Sequence, residues 1–209
     1  MKILKSYNIN LKAIPIKIYE TDYFLSEKEI FKIKELKIDR QTRFKQKGTL
    51  ISESMDLLEI KFLKNLKMFL DNIAEDYVKN TLEITNKIKR TQSWATLNNK
   101  ETAHHNHRHT NCLFNLVYYV KIKSGFLNFH IDKSSIENVF YFDYSVKNYN
   151  IYNATTWKLL PKPGNVIIIP GDLMHGVEAN YSDEERISIG ANYFLTGEVG
   201  TDRATKFKL

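Results

Sequence analysis

Residues 161–177 read PKPGNVIIIPGDLMHGV, and this stretch decides the fold. Pro161 to Asn165 is a turn: proline presets its own backbone angle and glycine permits the reversal. Val166 to Ile169 is a short apolar run bounded by turn signals on both sides, the mark of a buried strand. Pro170-Gly171-Asp172 turns the chain again, and His175 enters the next strand. A histidine placed just after a tight turn, beside a buried strand, can be held rigidly.

Working outward, the region from Lys89 onward is strand-like throughout. Aromatic and β-branched residues are frequent in it. The pattern predicts strands near 90–98, 112–123, 125–131, 139–144, 155–160, 165–169, 174–179 and 185–195. Short strands with close turn signals, such as Lys123-Ser124-Gly125, suggest a sandwich or barrel. The first part of the chain is different. Residues 13–19 alternate as a short strand, and Ser26 with Glu29 forms a capping box for a helix over about 27–36. Residues 37–52 read as loop. Phe62, Leu63, Leu66, Phe69, Leu70, Ile73 and Tyr77 fall at helical spacing, which predicts a helix over 56–80 whose apolar stripe is core packing. Helices followed by strands point to helices packed on one face of an antiparallel structure. The expected class is mainly β: a double-stranded β-helix, jelly-roll or cupin-like, with N-terminal helices on one sheet. We expect one domain over 1–209, with 1–88 as support and 89–209 as the β-helix core.

The 209 residues can bury roughly 70% of the unfolded surface, so no disulfide is needed to hold a core. The single cysteine, Cys112, has no partner within the chain, which fits a reducing compartment. The first residues carry lysines scattered through short apolar stretches, with no continuous apolar region of a signal peptide. No stretch reaches membrane-spanning length. The expectation is a cytoplasmic protein. The net charge of +7 is spread along the chain, and the densest basic runs are short and interrupted by acids. That argues against a groove-reading nucleic-acid partner, which would need a clustered stripe with aromatics.

Four of the six histidines fall in residues 104–109, HHNHRH. Residues two apart on an extended chain point to the same side. His107 and His109 can therefore aim two imidazoles at one point, and so can His105 and His107. Imidazole nitrogen ligates Fe, Zn, Cu and Ni. A third ligand from a distant strand, with His175 as the candidate, would complete one face of an octahedron. A His-rich run is also what an exposed, solvated loop looks like, and composition does not separate the two. His130, in an alternating strand, reads as structural.

Arg186 follows His175 by eleven residues, across a turn-rich connection. In RISIGAN, residues 186–192, Arg186, Ser188, Gly190 and Asn192 share one face. Such a polar face inside a barrel is costly unless something polar binds there. A guanidinium would hold a carboxylate through two hydrogen bonds, and a neighbouring hydroxyl could add a third. Alternatively that face looks outward, and Ile187, Ile189 and Ala191 form the inward set.

SWATLN at 93–98, HRHTNCLFNLVYYV at 107–120, PKPGNVIIIPGDLMHGV at 161–177 and RISIGAN at 186–192 together resemble the 2-oxoglutarate/Fe(II)-dependent oxygenases. The likeness is to a branch with a His-x-His element and a downstream Ser-Gly-Val-Tyr-Tyr. It covers the chain from about residue 90. The resemblance implies Fe(II) held by His107, His109 and His175, with His105 as the alternative ligand. It implies 2-oxoglutarate and O2 as cosubstrates. Arg186 would bind the far carboxylate of 2-oxoglutarate, assisted by Ser188 and Tyr119, with Asn115 facing the same cavity. The implied reaction is a hydroxylation coupled to oxidative decarboxylation of 2-oxoglutarate, on a substrate the sequence does not name. Two departures stand out. Asn115-Leu116 replaces the family's Ser-Gly, and His109 stands where most of the superfamily has Asp or Glu. Two other readings use the same residues. A zinc enzyme or a metal-binding cupin would hold its ion with the three histidines; a zinc hydrolase would also need a base such as Glu178 or Asp172. A non-enzymatic module for anionic partners would cluster its lysines on one face.

Overall fold

A computed structural model of the chain describes residues 14–37, 49–131, 145–150, 153–201 and 203–209. Two antiparallel sheets face each other. The larger contains β1 (Lys17–Tyr19), β2 (Thr49–Ile51), β3 (Lys87–Asn98), β5 (Phe114–Lys121), β8 (Val166–Pro170) and β10 (Arg186–Thr196). Its spatial order is β1-β8-β5-β10-β3-β2. The smaller contains β4 (His104–His107), β6 (Leu127–His130), β7 (Thr156–Leu159) and β9 (Met174–Val177), in the order β4-β9-β6-β7. The expected β-helix class is what forms. The expected strand at 139–144 lies outside the described residues.

The interior strand β8 shows why two layers are needed. Side chains alternate across a sheet. Val166 and Ile168 join the core shared with the helices, whereas Ile167 and Ile169 join the core between the sheets. The inter-sheet core is small: Tyr119, Ile122, Leu127, Phe129 and Leu173 complete it. β10 is likewise covered on both faces. Ile187, Ile189 and Ala191 pack toward the helical layer, and Arg186, Ser188 and Gly190 line a cavity between the sheets. The polar face therefore looks into the cavity and not outward to solvent, while the apolar set Ile187, Ile189 and Ala191 packs inward against the helical layer.

The helical layer is α1 (Glu27–Lys34) and α2 (Lys64–Tyr77). The capping box is present: Ser26 accepts from the Glu29 amide and Glu29 accepts from the Ser26 amide. The long helix begins later than its periodicity predicts. Residues 57–63 form two short 3₁₀ turns broken at Ile60, whose backbone is extended (ψ 130°). The Leu58 amide donates to Ser93 Oγ at 3.0 Å, which ties this segment to β3 instead of to a helical turn. From α2, Leu66, Leu70, Ile73 and Tyr77 meet Leu116, Tyr118 and Ile189 of the large sheet in one apolar cluster. Tyr77 stands edge-on to Phe114, with centroids 5.0 Å apart. Asp71 anchors the other end of that interface by accepting from Tyr193 Oη at 2.7 Å and pairing with Arg90.

Two short features depart from the sequence expectation. Residues 49–51, read as loop, are strand β2 on the edge of the large sheet, paired Thr49↔Asn98 to Ile51↔Thr96. Three residues are too few to show periodicity. β11 (Glu198–Val199) and β12 (Phe207–Lys208) make a two-residue ladder that is equally invisible in the pattern.

Leu70 is fully buried where α2 meets the sheet. Leu70→Ala should destabilise the protein by about 2–5 kcal/mol through lost burial and the cavity left behind. Urea unfolding followed by circular dichroism and by tryptophan fluorescence should give one coincident transition. Separate transitions would show that the helical layer and the sheets do not form one cooperative core.

Candidate metal and cosubstrate site

Three strands of the large sheet build one wall of the cavity, and their register aligns its side chains in rows. Trp94 of β3, Gly190 of β10 and Val117 of β5 are paired neighbours. So are Thr96, Ser188 and Tyr119, and Arg186 lies opposite Asn98. The facing wall comes from the small sheet. There β4 pairs with β9 so that His107 lies opposite His175.

That pairing assembles the histidines. The His107 ring centroid lies 4.6 Å from His175 and 5.0 Å from His109. His109 stacks on His175 at 5.2 Å with an interplanar angle of 10°. One ligand nitrogen from each of the three lies within 4.8 Å of the others. His109 follows β4, and its amide donates to the Gly171 carbonyl in the turn before β9, at 2.9 Å. The same turn that positions His175 thus positions His109.

The tautomers follow from the hydrogen bonds. His107 Nδ1 lies 2.8 Å from the His105 carbonyl, and His175 Nδ1 lies 2.8 Å from the Leu173 carbonyl. A carbonyl only accepts, so each Nδ1 carries the proton and each Nε2 keeps its lone pair. His109 Nε2 is buried with no hydrogen-bond partner. These three donors fit a late first-row divalent cation, for which imidazole is a suitable ligand.

Burial keeps the imidazoles neutral. It pushes the His109 pKa down to about 3 and that of His175 down to about 4, with neighbouring histidines adding to the effect in both. His107 is lowered by the same desolvation. No proton then competes with a metal ion near neutral pH.

At the other end of the cavity Arg186 is only 2% exposed. Its Nη1 donates to the Glu178 carbonyl at 3.0 Å and makes a longer contact to the Ser124 carbonyl at 3.4 Å. Its Nη2 is buried without a partner. A guanidinium half-satisfied in this way leaves donors for an anion. Burial lowers the Arg186 pKa and raises that of the adjacent Tyr119. Gly125 makes the close approach possible: it sits at φ +91°, and a Cβ there would lie 2.3 Å from Arg186 Nη1. Asn180, fully buried, holds the surrounding loops. Its Nδ2 donates to the carbonyls of Asn98 and Glu184, and its Oδ1 accepts from Ser124 Oγ at 2.9 Å.

Of the residues singled out from the sequence, His107, His109, His175, Arg186, Ser188, Tyr119 and Asn115 all line this cavity. Asn115 is spent within the wall, donating to Asn192 Oδ1 and the Ala191 carbonyl. His105 is not among the lining residues, whereas His104 is. His130 lies outside the lining, its Nδ1 3.5 Å from Thr156 Oγ1. Sequence reasoning assigned no role to Trp94, which stacks on His109 at 5.8 Å. It lies against Gly190, where a Cβ would come within 2.7 Å of the indole. The alternation of Trp94, Thr96 and Asn98 in β3 was the available signal. Neither base required by the zinc-hydrolase reading is in place. Glu178 pairs with Lys158 at 2.6 Å, Asp172 is exposed, and no acid is among the lining residues described.

Two facing sheets around a buried histidine cluster define a double-stranded β-helix with a site that could hold a metal ion. The model of the family described as Putative 2OG-Fe(II) oxygenase matches residues 92–192. Among solved structures, HygX from Streptomyces hygroscopicus, with nickel and 2-oxoglutarate bound, superposes with a TM-score of 0.60 at 12% identity, covering 86% of this chain and 82% of that one. A prolyl-4-hydroxylase from Pseudomonas putida gives 0.57 at 13% identity, covering 88% and 94%. A 2OG-Fe(II) oxygenase-family oxidoreductase from Burkholderia pseudomallei gives 0.55 at 12%, covering 79% and 76%. No curated protein matches the sequence. The matched family is that of the 2-oxoglutarate- and Fe(II)-dependent oxygenases. No helix among the described residues is long and apolar enough to cross a membrane.

The lowered histidine pKa values make a pH prediction for the metal-free protein. The unfolded chain takes up protons near the ordinary value of 6.5, while folded His109 and His175 resist to about 3 and about 4. Stability from these groups is therefore complete above pH 6.5 and is lost as pH falls toward the folded values. The Tm should be steady above neutrality and fall through that window, and His109→Gln should make the fall shallower. A Tm unresponsive to pH in that window would show that the imidazoles are not buried as described.

Proposed function

We propose that the enzyme is a hydroxylase that couples oxidative decarboxylation of 2-oxoglutarate to oxidation of a substrate. In this reading His107, His109 and His175 hold Fe(II), with His105 outside the ligand set. Arg186, with Ser188 and Tyr119, holds the far carboxylate of 2-oxoglutarate. One observation carries it. A cluster of three neutral imidazoles and a guanidinium with an unpartnered Nη2 line the same cavity.

Charge supports the pairing of cation and cosubstrate. Three neutral ligands leave the ion's two positive charges uncompensated, and Arg186 adds a third nearby. A dianion offsets most of this, and the absence of a ligating carboxylate strengthens the demand for one. When bound, iron and 2-oxoglutarate would supply the oxidising chemistry. The chain's own residues bind, orient and exclude water. The His105 and Leu173 carbonyls fix the orientation of His107 and His175. Trp94 covers the outer ligand His109, and Leu127, Val117 and Val177 keep the cavity wall apolar.

The reading takes residues 1–209 as one domain, with 1–88 supporting a β-helix over 89–209. The apolar cluster that joins Leu66 and Leu70 to Leu116 and Ile189 supports this. A cytoplasmic location is part of the same proposal. Cys112 is the lone cysteine, and burial pushes its thiol up to about 11, away from easy oxidation.

Anaerobic addition of Fe(II) and 2-oxoglutarate should produce a visible metal-to-ligand charge-transfer band, and O2 should then release succinate. Arg186→Leu should weaken 2-oxoglutarate binding at least tenfold while sparing metal, and His175→Ala should abolish the band. If His175→Ala and wild type give the same spectrum, the assignment is wrong.

A further inference from the structure

The proposed centre uses His107, His109 and His175 and leaves His104 and His105 without a role. In a regular strand, residues 104 and 107 point to opposite faces. Here they do not. β4 pairs with β9 through His104↔Val177 and His107↔His175, and the register shifts between them. Three steps along β4 are matched by two along β9, the signature of a bulge. The extra residue rotates the strand so that side chains converge that would otherwise diverge. The His104 and His107 rings are 4.7 Å apart, His104 and His105 are 5.1 Å apart, and His105 and His107 are 5.2 Å apart. One ligand nitrogen from each lies within 4.8 Å of the others, as tight a group as the first.

His107 belongs to both groups. Its Nδ1 is committed to the His105 carbonyl, so Nε2 is its one available lone pair. A single nitrogen cannot ligate two ions. Occupation of either group therefore removes His107 from the other.

We propose that His104, His105 and His107 form a second metal position, exclusive of the first, for a cation that favours a tetrahedral set of three imidazoles and one water, with Zn(II) or Co(II) as its natural occupants. Zinc takes histidine nitrogens at about 2.0–2.1 Å in tetrahedral geometry, which small side-chain rotations would reach from the spacing described. Affinity of a nitrogen site for Zn(II) exceeds that for Fe(II). Zn(II) at the second position withdraws a ligand from the first and so inhibits the enzyme. The inhibitory part rests on the hydroxylase reading; the binding part does not.

Co(II) titration of the full chain, read by visible absorption, tests the binding. A His109→Ala/His175→Ala variant lacks two ligands of the first group. It should still bind one equivalent of Co(II) with an intense tetrahedral d–d band. Adding His105→Ala should weaken that binding at least tenfold. The proposal is overturned if the double variant binds no Co(II), or if the third substitution changes nothing. Should circular dichroism show the double variant unfolded, His109→Gln/His175→Gln serves the same test. With Fe(II) enzyme, Zn(II) should suppress succinate release competitively with Fe(II), and His105→Ala should raise the half-inhibitory Zn(II) concentration at least tenfold. Inhibition indifferent to His105 overturns the inhibitory role. Loss of the wild-type charge-transfer band would sink the hydroxylase reading and leave the Co(II) result standing.

Discussion

The antiparallel pairing of β4 with β9 is the contact on which the rest of the structure depends. It sets His107 across from His175 and, through the Gly171 carbonyl, brings His109 onto the same point. Each of the paired histidines then bonds the carbonyl two residues before it, both at 2.8 Å. Strand pairing thus does more than place two rings. It selects the tautomer that turns each Nε2 inward. Burial removes the competing proton, and the product is a cluster of neutral donors held before any ion arrives.

The large sheet answers this cluster with a wall of opposite character. β10 is the strand that links them, because it is covered on both faces and so carries two unrelated patterns at once. Its odd-numbered residues serve the helical core; its even-numbered residues bring Arg186 and Ser188 into the cavity and leave room at Gly190 for Trp94. The guanidinium stays buried because two backbone carbonyls accept from one of its nitrogens. Asn180 and Ser124 hold the loops that supply those carbonyls. The outcome is a cavity positive at both ends once a cation is in place, and positive charge at both ends favours an anion between them.

Much of this was legible in residues 161–192. The turn, the buried strand, His175 and the polar face from Arg186 all occupy the places their pattern implies, because short-range turn chemistry and strand alternation act locally. Elsewhere the local signal failed for identifiable reasons. The long helix loses its first turns to a tether between the Leu58 amide and Ser93, a contact across thirty-five residues of sequence. β2 forms because β3 offers an open edge, which its own three residues do not announce. His104 was passed over because alternation puts it on the wrong face, and a bulge reverses that rule.

The sequence alone determined the ingredients: a β-rich second part, a histidine run, one distant histidine after a tight turn, and an arginine eleven residues on. Those are properties of composition, periodicity and nearby residues. Which histidines meet, which nitrogen each one presents, and which face of β10 looks into the cavity were decided only in the tertiary structure. Each depends on register between strands that lie about seventy residues apart, and register is set by the burial of both sheet faces together, not by any segment read by itself.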